Sequence, residues 1–184
     1  MDILGISAFY HDSAAALVRD GIPIAAAQEE RFSRIKNDPS FPNLAINYCL
    51  NEGGISVNEL DWVVFYEKPL RKFERILLTH LNYFPRSAKA FSKSMFLWLG
   101  DRLWMKNRIA EELGIAPSKI LFTEHHQSHA ASTFFPSPFH EAAILIVDGV
   151  GEWATTTLSK GKGNNLELLE EIHFLILWDF YILQ

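Results

Sequence analysis

Cysteine is almost missing from this chain. Its single Cys49 excludes any internal disulfide. Cys49 stands in the apolar stretch from Leu44 to Leu50, so it reads as a buried, inert thiol and not as a nucleophile. A dense basic block is also lacking. The formal net charge is -5, and the Lys and Arg residues between Arg71 and Arg108 are scattered, as on a solvated helical face. A general nucleic-acid binder needs a basic surface, so no nucleic-acid partner is expected. No apolar run reaches bilayer length before polar residues interrupt it, and Asp2 occupies the place of a signal peptide's basic segment. The expected location is the cytoplasm, with no membrane partner. What is present is a folding composition: 48% hydrophobic and 21% charged residues, far from the disordered class. The 184 residues suit one domain, or one and a half small ones.

Periodicity divides the chain into alternating elements. Residues 2–8, 13–19 and 22–29 read as three strands, the last two joined by the strong turn Asp20-Gly21. A charged, proline-containing loop spans 29–42. A helix fits 43–52 and stops at Gly53-Gly54. Residues 62–67 predict a buried strand. The segment 69–113 predicts helix with a break near 83–85, and 119–123 another strand. Residues 125–135 have helical spacing. Residues 142–148 read as the clearest buried strand, and 153–159 and 166–173 as two more. A meander followed by alternating helices and strands predicts an α/β fold. The order is similar to the ribonuclease-H-like half-domain of the actin-like ATPase superfold, with the start of a second half.

Four stretches carry residue types that do chemistry. In Glu124-His125-His126-Gln127-Ser128-His129, His125 and His129 lie one helical turn apart, so both imidazoles share a face. Such a pair can grip one metal ion or an anion; the alternative is a polar helix start, and His126 points elsewhere. In 144–152, an apolar strand delivers Asp148 into a turn containing Gly149 and Gly151. Asp148 suits a metal ligand or a water-orienting group, and the glycines let a phosphate approach the backbone; a plain Asp-Gly turn is the alternative. Two imidazoles and a carboxylate together suit a divalent transition metal. In 5–14, His11 is a candidate acid or base and Ser13 a candidate oxyanion donor, against simple loop decoration. In 29–38, Arg31, Arg34 and Lys36 suit phosphate or carboxylate pairing, against an ordinary solvated loop.

Taken in order, residues 5–15 (GISAFYHDSAA), 28–34 (QEERFSR), 125–132 (HHQSHAAS) and 147–153 (VDGVGEW) resemble the N-terminal region of O-carbamoyltransferases of the nodulation-protein-U and cephamycin-carbamoyltransferase type. Order and spacing agree from residue 1 to about 173. The resemblance implies that carbamoyl phosphate and ATP yield a carbamoyl-adenylate, whose carbamoyl group passes to an acceptor hydroxyl. It implies a divalent metal, often iron (Fe2+), on His125, His129 and Asp148. It places His11 near the transfer site and, less closely, Lys36 in a basic loop. Full-length members are much longer, with a further metal-binding aspartate, most of the nucleotide site and a C-terminal domain. The expected division is therefore a first half-domain over 1–140, the beginning of a second over 141–174, and an aberrant tail over 175–184.

The tail departs from the family, which continues with a motif close to Pro-His-Ser-Leu-Gly-Leu-Leu-Tyr-Ser-Ala. One codon set for residues 176–184 (ATT CTT TGG GAC TTT TAT ATT CTG CAG), regrouped so that its first two bases close the preceding codon, spells Ser-Leu-Gly-Leu-Leu-Tyr-Ser-Ala. A frameshift near Phe174 is thus expected, and sequencing the locus tests it. Three functions compete: a family enzyme completed by the missing C-terminal portion as a separate chain, a non-catalytic remnant that keeps the metal ligands, and another actin-like phosphotransferase. The histidine pair disfavours the third. Unpaired edges in 142–173 predict poor solubility or association.

Overall fold

The computed structural model describes residues 1–100, 102–149 and 151–173; the expected tail over 175–184 lies outside them. In chain order the elements are β1 (Asp2–Ser7), β2 (Ala14–Arg19), β3 (Ile22–Gln28), α1 (Glu30–Ser33), α2 (Asn43–Gly53), β4 (Trp62–Phe65), α3 (Pro69–Asn82), α4 (Ala88–Gly100), α5 (Met105–Leu113), β5 (Ile120–Phe122), α6 (His125–Phe134), β6 (Glu141–Val147), β7 (Ala154–Lys162) and β8 (Asn165–His173). The fold is α/β with a mixed sheet. The residues form two compact units, 1–66 with 106–122 and 67–105 with 123–173 among those described. The five-stranded sheet draws on 2–122 and the three-stranded one on 141–173.

The first unit holds the sheet β3-β2-β1-β4-β5. β1 pairs antiparallel with β2, Asp2 opposite Arg19, and parallel with β4, Ile3 opposite Trp62. The alternation of β1 turns Leu4 and Ile6 inward, where Leu17, Val63, Phe65 and Ile120 complete an apolar core. Pro23 is tolerated because β3 is an edge strand, and a bulge beside Leu17 and Val18 absorbs the irregularity. Helix α2 lies so close to the sheet that a Cβ on Gly53 would come within 2.3 Å of Leu17 Cδ2. Its first turn is anchored by a distant residue. The buried Glu29 carboxylate accepts from the Leu44 N–H at 3.1 Å and the Ala45 N–H at 2.8 Å, satisfying donors that no cap residue reaches. The loop expected over 29–42 therefore contains a short helix and a structural carboxylate.

The second unit contains α3, α4, α6 and the antiparallel sheet β6-β7-β8. Helix α6 covers one face of the sheet through Ala130 and Phe134, which pack on Ile144, with Ala142, Ile146 and Leu166 alongside. A Cβ on Gly161 would lie 2.7 Å from the Phe134 ring, so that glycine permits the helix to sit down on β7. β7 runs to Lys162, further than its sequence suggests, and turns at Gly163 with a φ of +56°. The apolar run 142–148 predicts a buried strand, and the structure corrects this. β6 is an edge strand in which Ile144 is buried while Leu145 and Val147 are 64% and 73% exposed. Its alternation places only one face against α6.

Candidate metal centre

The second unit brings three of the expected site residues together. His125 and His129 occupy the first and second turns of α6, and Asp148 follows the last residue of β6. His125 Nε2 lies 2.7 Å from Asp148 Oδ2 and 3.2 Å from His129 Nε2; the His129 nitrogen is 3.9 Å from the same carboxylate oxygen. One ligand atom from each residue falls within 4.8 Å of the others. Two imidazole nitrogens and one carboxylate oxygen suit a borderline divalent ion such as Fe2+, where calcium or magnesium prefers an all-oxygen set. The donor set fits the implied metal.

The strand ends hold this arrangement in place. The Asp148 N–H donates to the Thr155 carbonyl at 2.9 Å and the Gly151 N–H to the Ala154 carbonyl at 3.2 Å, pinning the connection between β6 and β7. Burial alone would raise the Asp148 carboxyl, but the hydrogen bond from His125, that of the Gly149 N–H at 2.6 Å, and the charge of the two histidines outweigh it. The carboxyl is held below its ordinary value and is ionised at neutral pH. Burial, reinforced by the neighbouring His125, lowers His129, so its imidazole is favoured in the neutral form that ligates metals.

His126 points away from the cluster and is buried. Its Nδ1 lies 3.0 Å from Thr157 Oγ1 on β7, and burial, then the charge of His125, holds it below the usual histidine range. Gly151 packs beneath these rings: a Cβ there would stand 3.0 Å from a His126 ring carbon and 3.1 Å from a His125 one. Close approach of the rings accounts for a glycine at 151, and its N–H is already engaged with Ala154. Gly149 opens onto free space. Gly151 thus lets the rings pack closely and Thr157 holds His126, roles that no local pattern in the sequence announces.

Beside the histidines is a cavity of about 480 Å³ whose lining includes Arg71, Glu124, His126, Glu152 and Trp153. Glu124 pairs with Lys68 at 3.0 Å and Arg71 at 2.8 Å. Glu152 is buried, accepts a hydrogen bond from the Lys68 N–H and, chiefly through burial, has its carboxyl raised.

The other expected residues lie in the first unit. His11 Nδ1 is 2.7 Å from Asp12 Oδ2 on an exposed loop where Phe9 and Asp12 have φ of 70° and 52°. Two backbone bonds, Phe9 N–H to Pro39 and Ser13 N–H to Asp38, hold that loop on the segment after α1. Ser13 is buried. Its Oγ has no hydrogen-bond partner among the described residues. Lys36 is exposed in a turn. Arg31 lies 3.3 Å from Gln28, and Arg34 closes α1 in the left-handed region.

Among the described residues no helix is long and apolar enough to cross a membrane. A family model described as "Carbamoyltransferase N-terminus" matches residues 2–178. Protein sll1178 of Synechocystis sp. is 59% identical over 94% of this chain and 29% of its own length. Nodulation protein NolNO of Sinorhizobium fredii is 36% identical over 88% of this chain and 23% of its own. The chain therefore spans less than a third of these relatives. Among solved structures, YeaZ from Pseudomonas aeruginosa aligns with a TM-score of 0.47 and 11% identity, covering 93% of this chain and 65% of that one.

Proposed function

This chain belongs to the carbamoyltransferase N-terminal family, and from that premise we propose that it forms the metal-binding portion of an O-carbamoyltransferase. The proposed reaction takes carbamoyl phosphate and ATP to a carbamoyl-adenylate and passes the carbamoyl group to an acceptor hydroxyl. The observation that carries this reading is the convergence of His125, His129 and Asp148. These three would hold a divalent metal, Fe2+ by the donor set, which when bound would offset phosphate charge on the nucleotide. Asp148, kept ionised by its hydrogen bonds, anchors one position. His125 and His129, one turn apart on α6, supply two nitrogens from a single rigid element, which keeps their spacing fixed.

His11 is proposed to act on the acceptor hydroxyl as acid or base. The carboxylate of Asp12 at 2.7 Å orients its ring and favours a proton on Nδ1, leaving Nε2 to exchange protons with substrate. Lys36 is proposed to offset phosphate charge, and the Gly149 backbone to let the nucleotide approach. At fold level we assign 1–140 to a first actin-like half and 141–174 to the start of a second. Support for this comes from the repeated three-stranded meander.

The test is carbamoyl-phosphate-dependent ATP–pyrophosphate exchange by the purified chain with Fe2+, beside His125→Ala. Exchange abolished by the substitution supports the reading. Exchange that survives it overturns the role of the cluster. No exchange from folded, metal-loaded chain limits its share to metal binding.

A further inference from the structure

The three candidate ligands sit on two separate segments. His125 and His129 belong to α6, and Asp148 to the connection after β6. Their spacing depends on how α6 stands against that connection, and a third segment touches both. The Lys68 ammonium lies 3.0 Å from the carboxylate of Glu124, the residue that opens α6. The N–H of the same Lys68 donates to the carboxylate of Glu152, in the connection between β6 and β7. Arg71, in the first turn of α3, reaches the same Glu124 oxygen at 2.8 Å.

The placement of the two glutamates ties these contacts to the ligands. At the position of Glu124 a side-chain oxygen ordinarily accepts from the N–H groups of its own helix. Glu124 makes no such bond, and its carboxylate faces α3 instead. Its carbonyl accepts from the Ser128 N–H at 2.9 Å, so its backbone belongs to the turn that carries His125. Glu152 is buried and follows Gly151, where a Cβ would stand 3.1 Å from a His125 ring carbon. A shift of either glutamate therefore moves His125 against Asp148. The side chains of Lys68, Arg71 and Glu124 are 39%, 54% and 34% exposed. Ion pairs so accessible to water add little to overall stability. What they fix is orientation.

We infer that Lys68 and Arg71 are positioning residues of the metal centre. From the start of α3, Lys68 ties the helix bearing His125 and His129 to the connection bearing Asp148, and Arg71 reinforces its hold on Glu124. Neither residue is a ligand. The inference rests on the proposed metal reading and deepens it.

Positioning and simple charge predict opposite signs for one pair of substitutions. The Glu124 carboxylate attracts a cation, and the Lys68 and Arg71 side chains repel one. By charge alone, removing Glu124 weakens metal binding and removing the two basic groups strengthens it. By positioning, both changes weaken it.

The test is an anaerobic Co2+ titration of the full 184-residue chain, followed by absorption. Glu124→Ala and Lys68→Met/Arg71→Met should each lower affinity at least ~10-fold. The three changes combined should lower it no further than the larger of the two, because they break one contact. Lys68→Arg, which keeps the cation and the N–H, should retain the wild-type affinity. Lys89→Met/Lys93→Met, which removes two exposed charges from α4, should leave it unchanged. All variants should keep the circular dichroism and the urea midpoint of the wild type. Equal or tighter binding by Lys68→Met/Arg71→Met would overturn the inference and leave the metal reading standing. An affinity loss that appears only where the fold is lost would do the same. A folded wild-type chain that binds no Co2+ would overturn both.

Discussion

The sheet around β1 and the sheet around β6 begin with the same meander and are completed differently. β1 is the middle strand of five, and its Leu4 and Ile6 are essentially inaccessible to water. β6 is the edge of three, covered by α6 on one face, with apolar side chains open on the other. Both sheets put their candidate chemistry in the connection after the first strand, His11 in one and Asp148 in the other. The connection after the first strand thus carries a candidate group in both sheets, although five strands build one sheet and three the other. Stability depends on how many neighbours the first strand acquires.

The largest expected contrast comes from truncating one side chain in each sheet. Phe65→Ala, at a fully buried site, should destabilise by about 3–5 kcal/mol. Leu145→Ala should stay within about 0.5 kcal/mol. Urea denaturation of the two variants measures both, and equal losses would break the comparison. Next come the glycines on which a helix rests. Gly53→Ala drives a methyl into Leu17 and Gly161→Ala drives one into the Phe134 ring. Each should cost about 1–3 kcal/mol, checked by thermal melts. A smaller loss, about 1–2 kcal/mol, is expected for Glu29→Ala, which removes the carboxylate, just after β3, that anchors the first turn of α2.

The smallest expected effect belongs to the second unit and depends on pH. Burial raises the Glu152 carboxyl above its ordinary value of 4.5, against the hydrogen bond from Lys68, with repulsion from Glu124 and Glu67 adding to it. The folded protein therefore keeps this proton to higher pH than the unfolded chain. The cost of burying the carboxylate is fully present above the folded pKa and is relieved as pH falls through it towards 4.5. Glu152→Gln should raise stability at pH 7 and remove that part of the pH dependence. Denaturation midpoints at pH 7 and pH 5 check the sign.

Much of this molecule was legible in its residues. Period-2 stretches with turn signals located the strands, and the spacing of His125 and His129 put two nitrogens on one face of α6. The conjunction with Asp148 followed from an apolar strand ending in a carboxylate. The rest depends on contacts between distant parts of the chain. Nothing local in Glu29 says that it anchors the helix at Leu44 and Ala45, and nothing local in Gly151 says that two histidine rings lie against it. The exposed face of β6 was illegible for another reason. An apolar run reports what a strand is suited to bury and is silent on which polypeptide covers it.

The most direct test of the central claim is an anaerobic titration of the purified chain with Fe2+, or with Co2+ followed by its absorption spectrum, alongside Asp148→Asn and His129→Ala. The account predicts one ion per chain, with affinity reduced at least ~10-fold in either variant. Failure of the folded chain to bind the ion, or binding that both substitutions leave unchanged, would contradict it.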